Sequence, residues 1–391
     1  MDNRRDKRKQ HYVPRFYLKQ FADENKKLIA FDFKQGALIE KPVYYATQCY
    51  KDYFYGEDGV WENRLADMEG KWSASVYKAI KGEKLNQQDI TYLKEFVLFQ
   101  RQRTSAENDR SLKEREDILI ESAKSIYHNK GWLFDQKAED YCRARAQEEV
   151  SPAENVEIAT RMKKYIDDLD VLIVRYDTRE HLITSDSPVI VLNPFLKIRG
   201  FGYGDIGVAF LLPLSPRTLL ILYDGTLFKK YTKIIYHDST DSDEVEIINK
   251  YELIQAERMA YSSEASYLKV NQEIYDFREK EIERNRTQFL GPEGNRLMIT
   301  QLRGTNYYYE IPYIHLPREY RRIPYNCREM ITRAYDVGFE RKLSVKYQFL
   351  AVVIKPDMKM LPQKTDLKLG CNRMEALAKI YWNSHTKRFG K

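Results

Sequence analysis

Trp61, Leu65, Met68, Trp72, Val76 and Ile80 recur at helical spacing, which predicts a helix from Trp61 that Gly82 ends. A second helix begins after Asn86, with Asn86 as its cap and Asp89 in its first turn. Its apolar stripe runs Ile90, Leu93, Phe96, Val97 and then turns polar at Gln100, Arg101, Arg103 and Thr104. Ser111–Tyr127 reads as a charged helix. Ser151-Pro152-Ala153-Glu154 is a capping box with proline in the first helical position, opening a helix to about Leu169.

Short apolar runs replace this pattern from Val171 onward. Val171–Tyr176, His181–Thr184, Pro188–Leu192, Val208–Leu212 and Thr218–Tyr223 predict strands, the last two joined by a turn at Leu214-Ser215-Pro216. Near the N-terminus, Lys26–Phe33 and Ala37–Ile39 flank Gln35-Gly36 and predict a hairpin. Ser242–Ala260 predicts a helix capped by Ser242, and Ser266–Val270 a strand. Polar Lys280–Asn285 marks a boundary, beyond which Tyr307–Ile314 and Val345–Ile354 read as strands and Glu375–Trp382 as a helix. Helices followed by strands indicate an α+β fold. The expected organisation is a body over 1–280, with an N-terminal hairpin, helices over 61–170 and a mainly antiparallel sheet over 171–275. A basic C-terminal domain over 281–391 follows.

Composition narrows the class. Of 391 residues, 43% are apolar and 31% charged, a globular and not a disordered balance. No apolar run approaches the ~18 residues of a membrane span. The basic start, Met1–Gln10, leads into no apolar segment, so no signal peptide is expected. Cys49, Cys142, Cys327 and Cys371 are dispersed, without CxxC spacing, which fits a reducing cytoplasm and neither a zinc site nor a disulfide scaffold. The formal charge of +7 is uneven: residues 311–391 carry 17 Lys/Arg against 7 Asp/Glu, and the first ten carry 5 against 2. A mildly acidic body with a basic tail and arm points to nucleic acid as partner.

No Walker loop, HExxH, GxSxG or Rossmann fingerprint is present. Gly200, Gly202, Gly204 and Gly207 precede an apolar strand and not a helix, so they predict a loop and not a phosphate cradle. The candidate chemistry is scattered. His11 is a candidate acid/base because an imidazole titrates near neutrality; the alternative is a histidine that holds the N-terminal segment. Gln100 and Arg103 follow Phe96 on one helix face, where a guanidinium needs a carboxylate or a phosphate partner; Glu62, Glu69 and Asp186 are the candidate carboxylates. Asp186, in Thr-Ser-Asp-Ser-Pro between apolar runs, is a candidate to orient His11 or bind Mg²⁺, with Glu62 as a second metal candidate; turn chemistry is the alternative. Arg318, Tyr320, Arg321, Arg322 and Arg328 interleave cations with an aromatic, which suits phosphate contact with base stacking.

Four motifs occur in order: His11-Tyr12-Val13-Pro14-x-Phe16-Tyr17-Leu18-x-x-Phe21, Phe96-x-x-x-Gln100-x-x-Arg103-Thr104, Ile183-Thr184-Ser185-Asp186-Ser187-Pro188-Val189 and Leu212-Pro213-Leu214-Ser215-Pro216. Together they resemble a large bacterial family defined as a domain of unknown function, over roughly residues 9–275. Ser187 stands where the family pattern has Asn. The resemblance implies an association with antiviral defence and supplies no mechanism.

The expectation is therefore an anti-phage effector that binds, and in one version cleaves, nucleic acid. His11 would act as acid/base, Gln100 would orient, Arg103 would hold phosphate and Asp186 would orient His11 or hold Mg²⁺. The alternatives are a non-catalytic sensor or scaffold that recognises nucleic acid or a phage protein, and an enzyme acting on a small phosphorylated nucleotide. No membrane partner is expected, and a homo-oligomer is compatible with every version.

Overall fold

The computed structural model describes residues 8–196, 202–205, 207–225, 227–228, 235–284, 288–290, 297–299, 305–306 and 308–315. The N-terminal part contains β1 (Lys9–His11), α1 (Arg15–Leu18), β2 (Lys27–Asp32), β3 (Ala37–Leu38), β4 (Val43–Tyr44) and β5 (Tyr50–Asp52). Five helices follow: α2 (Val60–Lys81), α3 (Gln87–Gln102), α4 (Ser105–Lys130), α5 (Gln136–Glu149) and α6 (Pro152–Met162). Then come β6 (Asp170–Tyr176), β7 (Thr184–Ser185), β8 (Ile190–Leu192), β9 (Ala209–Ser215), β10 (Thr218–Tyr223) and β11 (Tyr236–Ser239). The remaining elements are α7 (Ser242–Gln255), β12 (Met259–Ser262), α8 (Gln272–Arg284), β13 (Gln288–Leu290) and β14 (Leu297–Ile299). The protein is α+β, as its patterning predicts.

The helix ends follow local chemistry. Gly82 closes α2 in the left-handed region at φ +70°, and the capping boxes at Asn86 and Ser151 open α3 and α6. Each such cap contributes about 1 kcal/mol. Helix α4 begins earlier than Ser111, because the Thr104 side chain accepts from the Glu107 amide and starts the helix there. The unpredicted α5 is half charged and buries only Cys142 and Ala146.

Strands β9 and β10 are buried at every position, so they read as continuous apolar runs and not as alternation. They lie inside a five-stranded sheet ordered β11-β6-β10-β9-β8. Its pairs are antiparallel except β11 with β6, which run parallel with Tyr236 opposite Ile173. The turn between β9 and β10 sits at Pro216-Arg217; Leu214 and Ser215 belong to β9 and not to the turn. A second sheet, β3-β2-β12-β7 with β4 also on β2, joins the N-terminal hairpin to the middle of the chain. Helix α2 packs on β9, and α7 on β7 and β8. Trp72, Val76, Phe96, Leu211 and Leu220 share the resulting core, each fully buried or nearly so. Burial of each large apolar side chain contributes about 1.5–3 kcal/mol.

The helix expected to run to about Leu169 ends at Met162, the one expected to Ala260 ends at Gln255, and three expected strands differ. The strand at His181–Thr184 forms only at Thr184–Ser185. Ser266–Val270 is a 3₁₀ turn at Ala265–Tyr267 followed by irregular chain in which the Val270 amide donates back to the Leu268 carbonyl. Of the strand expected at Tyr307–Ile314, Tyr307 lies outside the described residues and the rest contains a 3₁₀ turn at Pro312–Ile314 in place of a strand. The polar stretch around residue 280 lies within α8. Ile311, Tyr313 and Ile314 join the main core, so the body extends past residue 280. Gly207, at φ +83°, donates to Asp224, and a Cβ there would stand 2.5 Å from the Cβ of Phe195; Gly200 lies outside the described residues. The expected elements at Val345–Ile354 and Glu375–Trp382, like Arg318, Tyr320, Arg321, Arg322 and Arg328, lie outside the described residues.

Candidate functional site

The motif His11–Phe21 runs through β1, α1 and the turn after it, and the other motifs close around it. Phe96 of α3 packs against the rings of Phe16 and Tyr17, at 5.3 and 5.9 Å between centroids. One turn on, Gln100 donates through Nε2 to the Tyr12 carbonyl at 3.1 Å. Arg103 donates to the His11 carbonyl at 2.6 Å, to Glu69 at 2.7 Å and to the Tyr55 hydroxyl at 3.2 Å. From β7, the Thr184 hydroxyl meets that of Tyr17 at 2.8 Å. Helical spacing thus aims Phe96, Gln100 and Arg103 at one segment.

Arg103 is 2% exposed and every nitrogen of its guanidinium has a protein partner. Burial opposes its charge, but Tyr55 and Glu69 outweigh burial and hold its pKa above the ordinary value. Of the three expected carboxylate partners, Glu69 is the one used. Glu62 lies in the first turn of α2, near Tyr55. The geometry is that of a buried guanidinium paired with the partly exposed Glu69, which fastens α2 and α3 to β1.

His11 is buried, with Nε2 3.1 Å from the Ala46 carbonyl. Arg15 Nε donates to the same nitrogen at 3.3 Å. Burial pushes the imidazole down to about 4, and Arg15 and Arg103 push in the same direction. His11 is therefore neutral at pH 7, with its Nε2 placed between the Ala46 carbonyl and the Arg15 guanidinium.

Asp186 does not orient His11. Its Oδ1 accepts from the Glu257 amide at 2.8 Å, and its Oδ2 from those of Arg258 and Met259 at 2.9 and 3.0 Å. Burial pushes the carboxyl up to about 6 against the pull of these three donors. Among the described residues no hydrogen bond or ion pair joins Asp186 to His11 or Arg103. Nor do three or more His, Cys, Asp and Glu side chains gather as a metal site there. The Mg²⁺ role expected for Asp186 with Glu62 does not fit, because the Asp186 oxygens already face N–H donors.

Several residues that shape this region carry no local sequence signal. Tyr55 joins Arg103 from the loop after β5. Arg258 pairs with buried Asp32 at 2.7 Å across β12 and β2. Glu252 of α7 is fully buried against the Ser185 hydroxyl at 2.7 Å, and burial raises its carboxyl well above the usual range. Arg278 of α8 donates to the carbonyls of Leu253, Ile254, Ala256 and Glu257. Its guanidinium stacks 3.7 Å from the Phe33 ring centroid.

Beside this network is a cavity of about 480 Å³. Its walls are the end of α3, the first turns of α4, residues 254–257 after and at the end of α7, and α8. The second and third motifs build two of those walls. Thr104 caps α4, Asp186 holds residues 257–259, and Gln255 donates to the Ser187 carbonyl at 2.5 Å.

No helix among the described residues is long and apolar enough to cross a membrane. No curated protein and no solved structure matches the chain. The motifs that interlock in β1, α1, α3 and β7 all fall within residues 9–266, which match the family described as Protein of unknown function (DUF4238), and the chain belongs to that family.

Proposed function

We propose that this chain is a cytoplasmic nucleic-acid-binding protein of antiviral defence, with a motif-bearing body that serves as scaffold and a basic C-terminal part that contacts phosphate. The observation that carries this reading is the occupancy of Arg103: its nitrogens are taken up by Glu69, Tyr55 and the His11 carbonyl. A guanidinium so engaged is a lock and not a phosphate receptor. The charge suited to a polyanion then belongs to residues 311–391, with 17 Lys/Arg against 7 Asp/Glu. Arg318, Arg321, Arg322 and Arg328 are assigned phosphate contacts, and Tyr320 base stacking. The defence setting rests on the family resemblance and the cytoplasmic setting on the dispersed cysteines. Strand cleavage would require groups other than His11, Arg103 and Asp186.

Fluorescence anisotropy of the full chain with single-stranded DNA, duplex DNA and RNA, at two salt concentrations, tests the proposal. Binding should weaken steeply with salt, and Arg321→Gln with Arg322→Gln should weaken it further and flatten the salt dependence. The same variants should lose phage protection while keeping the wild-type melting temperature. Full protection by variants that no longer bind nucleic acid would overturn the reading in favour of a phage protein as the recognised partner.

A further inference from the structure

The α4–α5 hairpin gathers exposed apolar side chains at its closed end. Trp132 and Leu133, in the turn between the helices, are 60% and 84% exposed. Ile126 near the end of α4 and Tyr141 in the second turn of α5 stand exposed as well. These are four of the ten large hydrophobic side chains left in water among the described residues, and all four fall between positions 126 and 141. Such a concentration marks a contact surface, where single exposed apolar residues would not. We propose that this end of the hairpin docks on an anionic lipid surface. The contact uses none of the C-terminal arginines and is independent of nucleic-acid binding.

The end is built and not loose. Gly131, at φ +66°, closes α4, with its amide donating to the His128 carbonyl at 3.0 Å and that of Trp132 to the Tyr127 carbonyl at 2.9 Å. The rings of Trp132 and Phe134 pack nearly perpendicular to Tyr127, at 5.7 and 5.5 Å between centroids. Behind them Arg143 joins the two helices through Glu116 at 2.9 Å, and Cys142 and Ala146 are buried. At 1.5 Å per residue, Ile126 and Tyr141 lie about 6–8 Å along their helices from the turn, within the depth of roughly 5–10 Å that an interfacial apolar face reaches.

Charge selects the occupant. Lys130 and Lys137 flank the turn, exposed, and neither enters an ion pair among the described residues. The nearby carboxylates are engaged: Asp135 accepts from the Ala138 amide at 3.0 Å, Asp140 from Gln136 at 2.9 Å and Glu139 from Arg143 at 2.6 Å. Two copies meeting end to end would bring four such lysines together, so like charge disfavours a second copy. A nucleic-acid strand would engage the lysines and leave Leu133 and Ile126 in water. An anionic bilayer uses both sets: the aromatic rings sit at headgroup level, Leu133 reaches below them, and the lysines meet lipid phosphates and carboxylates. A contact of this kind needs no spanning helix, and the described residues contain none.

Sedimentation of the full chain with vesicles of phosphatidylcholine alone, and with about one third phosphatidylserine, tests the proposal. The chain should partition onto the anionic vesicles and much less onto the neutral ones. Leu133→Glu, at a position that packs on nothing, should keep the wild-type melting temperature and lower that partitioning about tenfold or more. Lys130→Gln with Lys137→Gln should reduce the preference for anionic lipid. The loss from Leu133→Glu should be the same in a chain that also carries Arg321→Gln and Arg322→Gln, which separates the hairpin from the basic C-terminal part. Brominated lipid should quench tryptophan fluorescence, and the quenching should fall in Trp132→Phe. Absence of vesicle binding would overturn the proposal, as would equal binding by folded Leu133→Glu or quenching unchanged in Trp132→Phe. A dimer in sedimentation that Leu133→Glu dissociates would assign the surface to a second copy instead. Loss of phage protection by Leu133→Glu without any vesicle binding would assign it to a protein partner.

Discussion

Arg103 of the α3–α4 corner donates to the main-chain carbonyl of His11, 92 residues earlier, at 2.6 Å. The bond joins two motifs through a backbone atom, so what Arg103 recognises is the path of β1 and not the His11 imidazole. With Glu69 and Tyr55 on its other nitrogens, Arg103 ties α2, α3, β1 and the loop after β5 together.

Arg103→Ala should lower stability by about 1.5–3 kcal/mol or more, because it removes charged hydrogen bonds to the His11 carbonyl, Glu69 and Tyr55 and leaves that carbonyl only the Tyr55 hydroxyl at 3.4 Å. Arg103→Lys should recover little, since one ammonium does not span three divergent acceptors. Urea denaturation with a circular-dichroism readout gives both numbers. A folded Arg103→Ala of wild-type stability that loses phage protection would show a functional site instead of a lock.

Tyr17 and Thr184 form a second long-range tie, fully buried. Tyr17→Phe should cost about 1–3 kcal/mol by leaving the Thr184 hydroxyl unsatisfied. Combined with Thr184→Val, the loss should fall short of the sum of the single losses, because the pair is removed together. A double-mutant cycle measures this directly.

His11 and Asp186 give opposite pH dependences. The folded His11 pKa of about 4 lies below its ordinary 6.5, so its stabilising effect is present above pH 6.5 and lost as pH falls toward 4. The folded Asp186 pKa of about 6 lies above 3.8, so its effect is present below pH 3.8 and lost as pH rises through 6. Relative to wild type, His11→Gln should therefore gain stability on acidification from pH 7 to 4, and Asp186→Asn should lose it. Each difference should approach about 3 kcal/mol. Melting temperatures of the three proteins across that range, compared at each pH, provide the check.

Gly207 allows one more forecast. At φ +83°, with Phe195 Cβ at 2.5 Å, Asn193 Oδ1 at 3.0 Å and Leu227 Cδ1 at 3.3 Å from an added Cβ, Gly207→Ala should destabilise by roughly 1–3 kcal/mol. Gly131→Ala, at φ +66° with nothing within 4 Å, should cost less, since only backbone strain applies. Thermal melts of the two variants side by side separate crowding from strain.

Local rules of the chain settled much of the architecture. Helices α2, α3 and α6 follow from apolar spacing and from caps at Gly82, Asn86 and Ser151, interactions between residues only a few positions apart. The buried strands β6, β9 and β10 follow from unbroken apolar runs. The motifs marked Gln100, Arg103 and Asp186 as unusual polar residues, but not what they bind. Their partners lie tens of residues away, and no spacing rule reaches that far.

Helix α7 shows what the chain alone left open. Its pattern continues to Ala260, with no glycine or proline to stop it, yet the helix ends at Gln255. Arg278 takes up the last carbonyls, and Asp186 takes the amides of residues 257–259 that would otherwise extend the helix. The freed segment becomes β12 and completes the second sheet between β2 and β7. Propensity acts over neighbouring residues, whereas this stop is made by two side chains from distant elements, and only the tertiary structure brings them there.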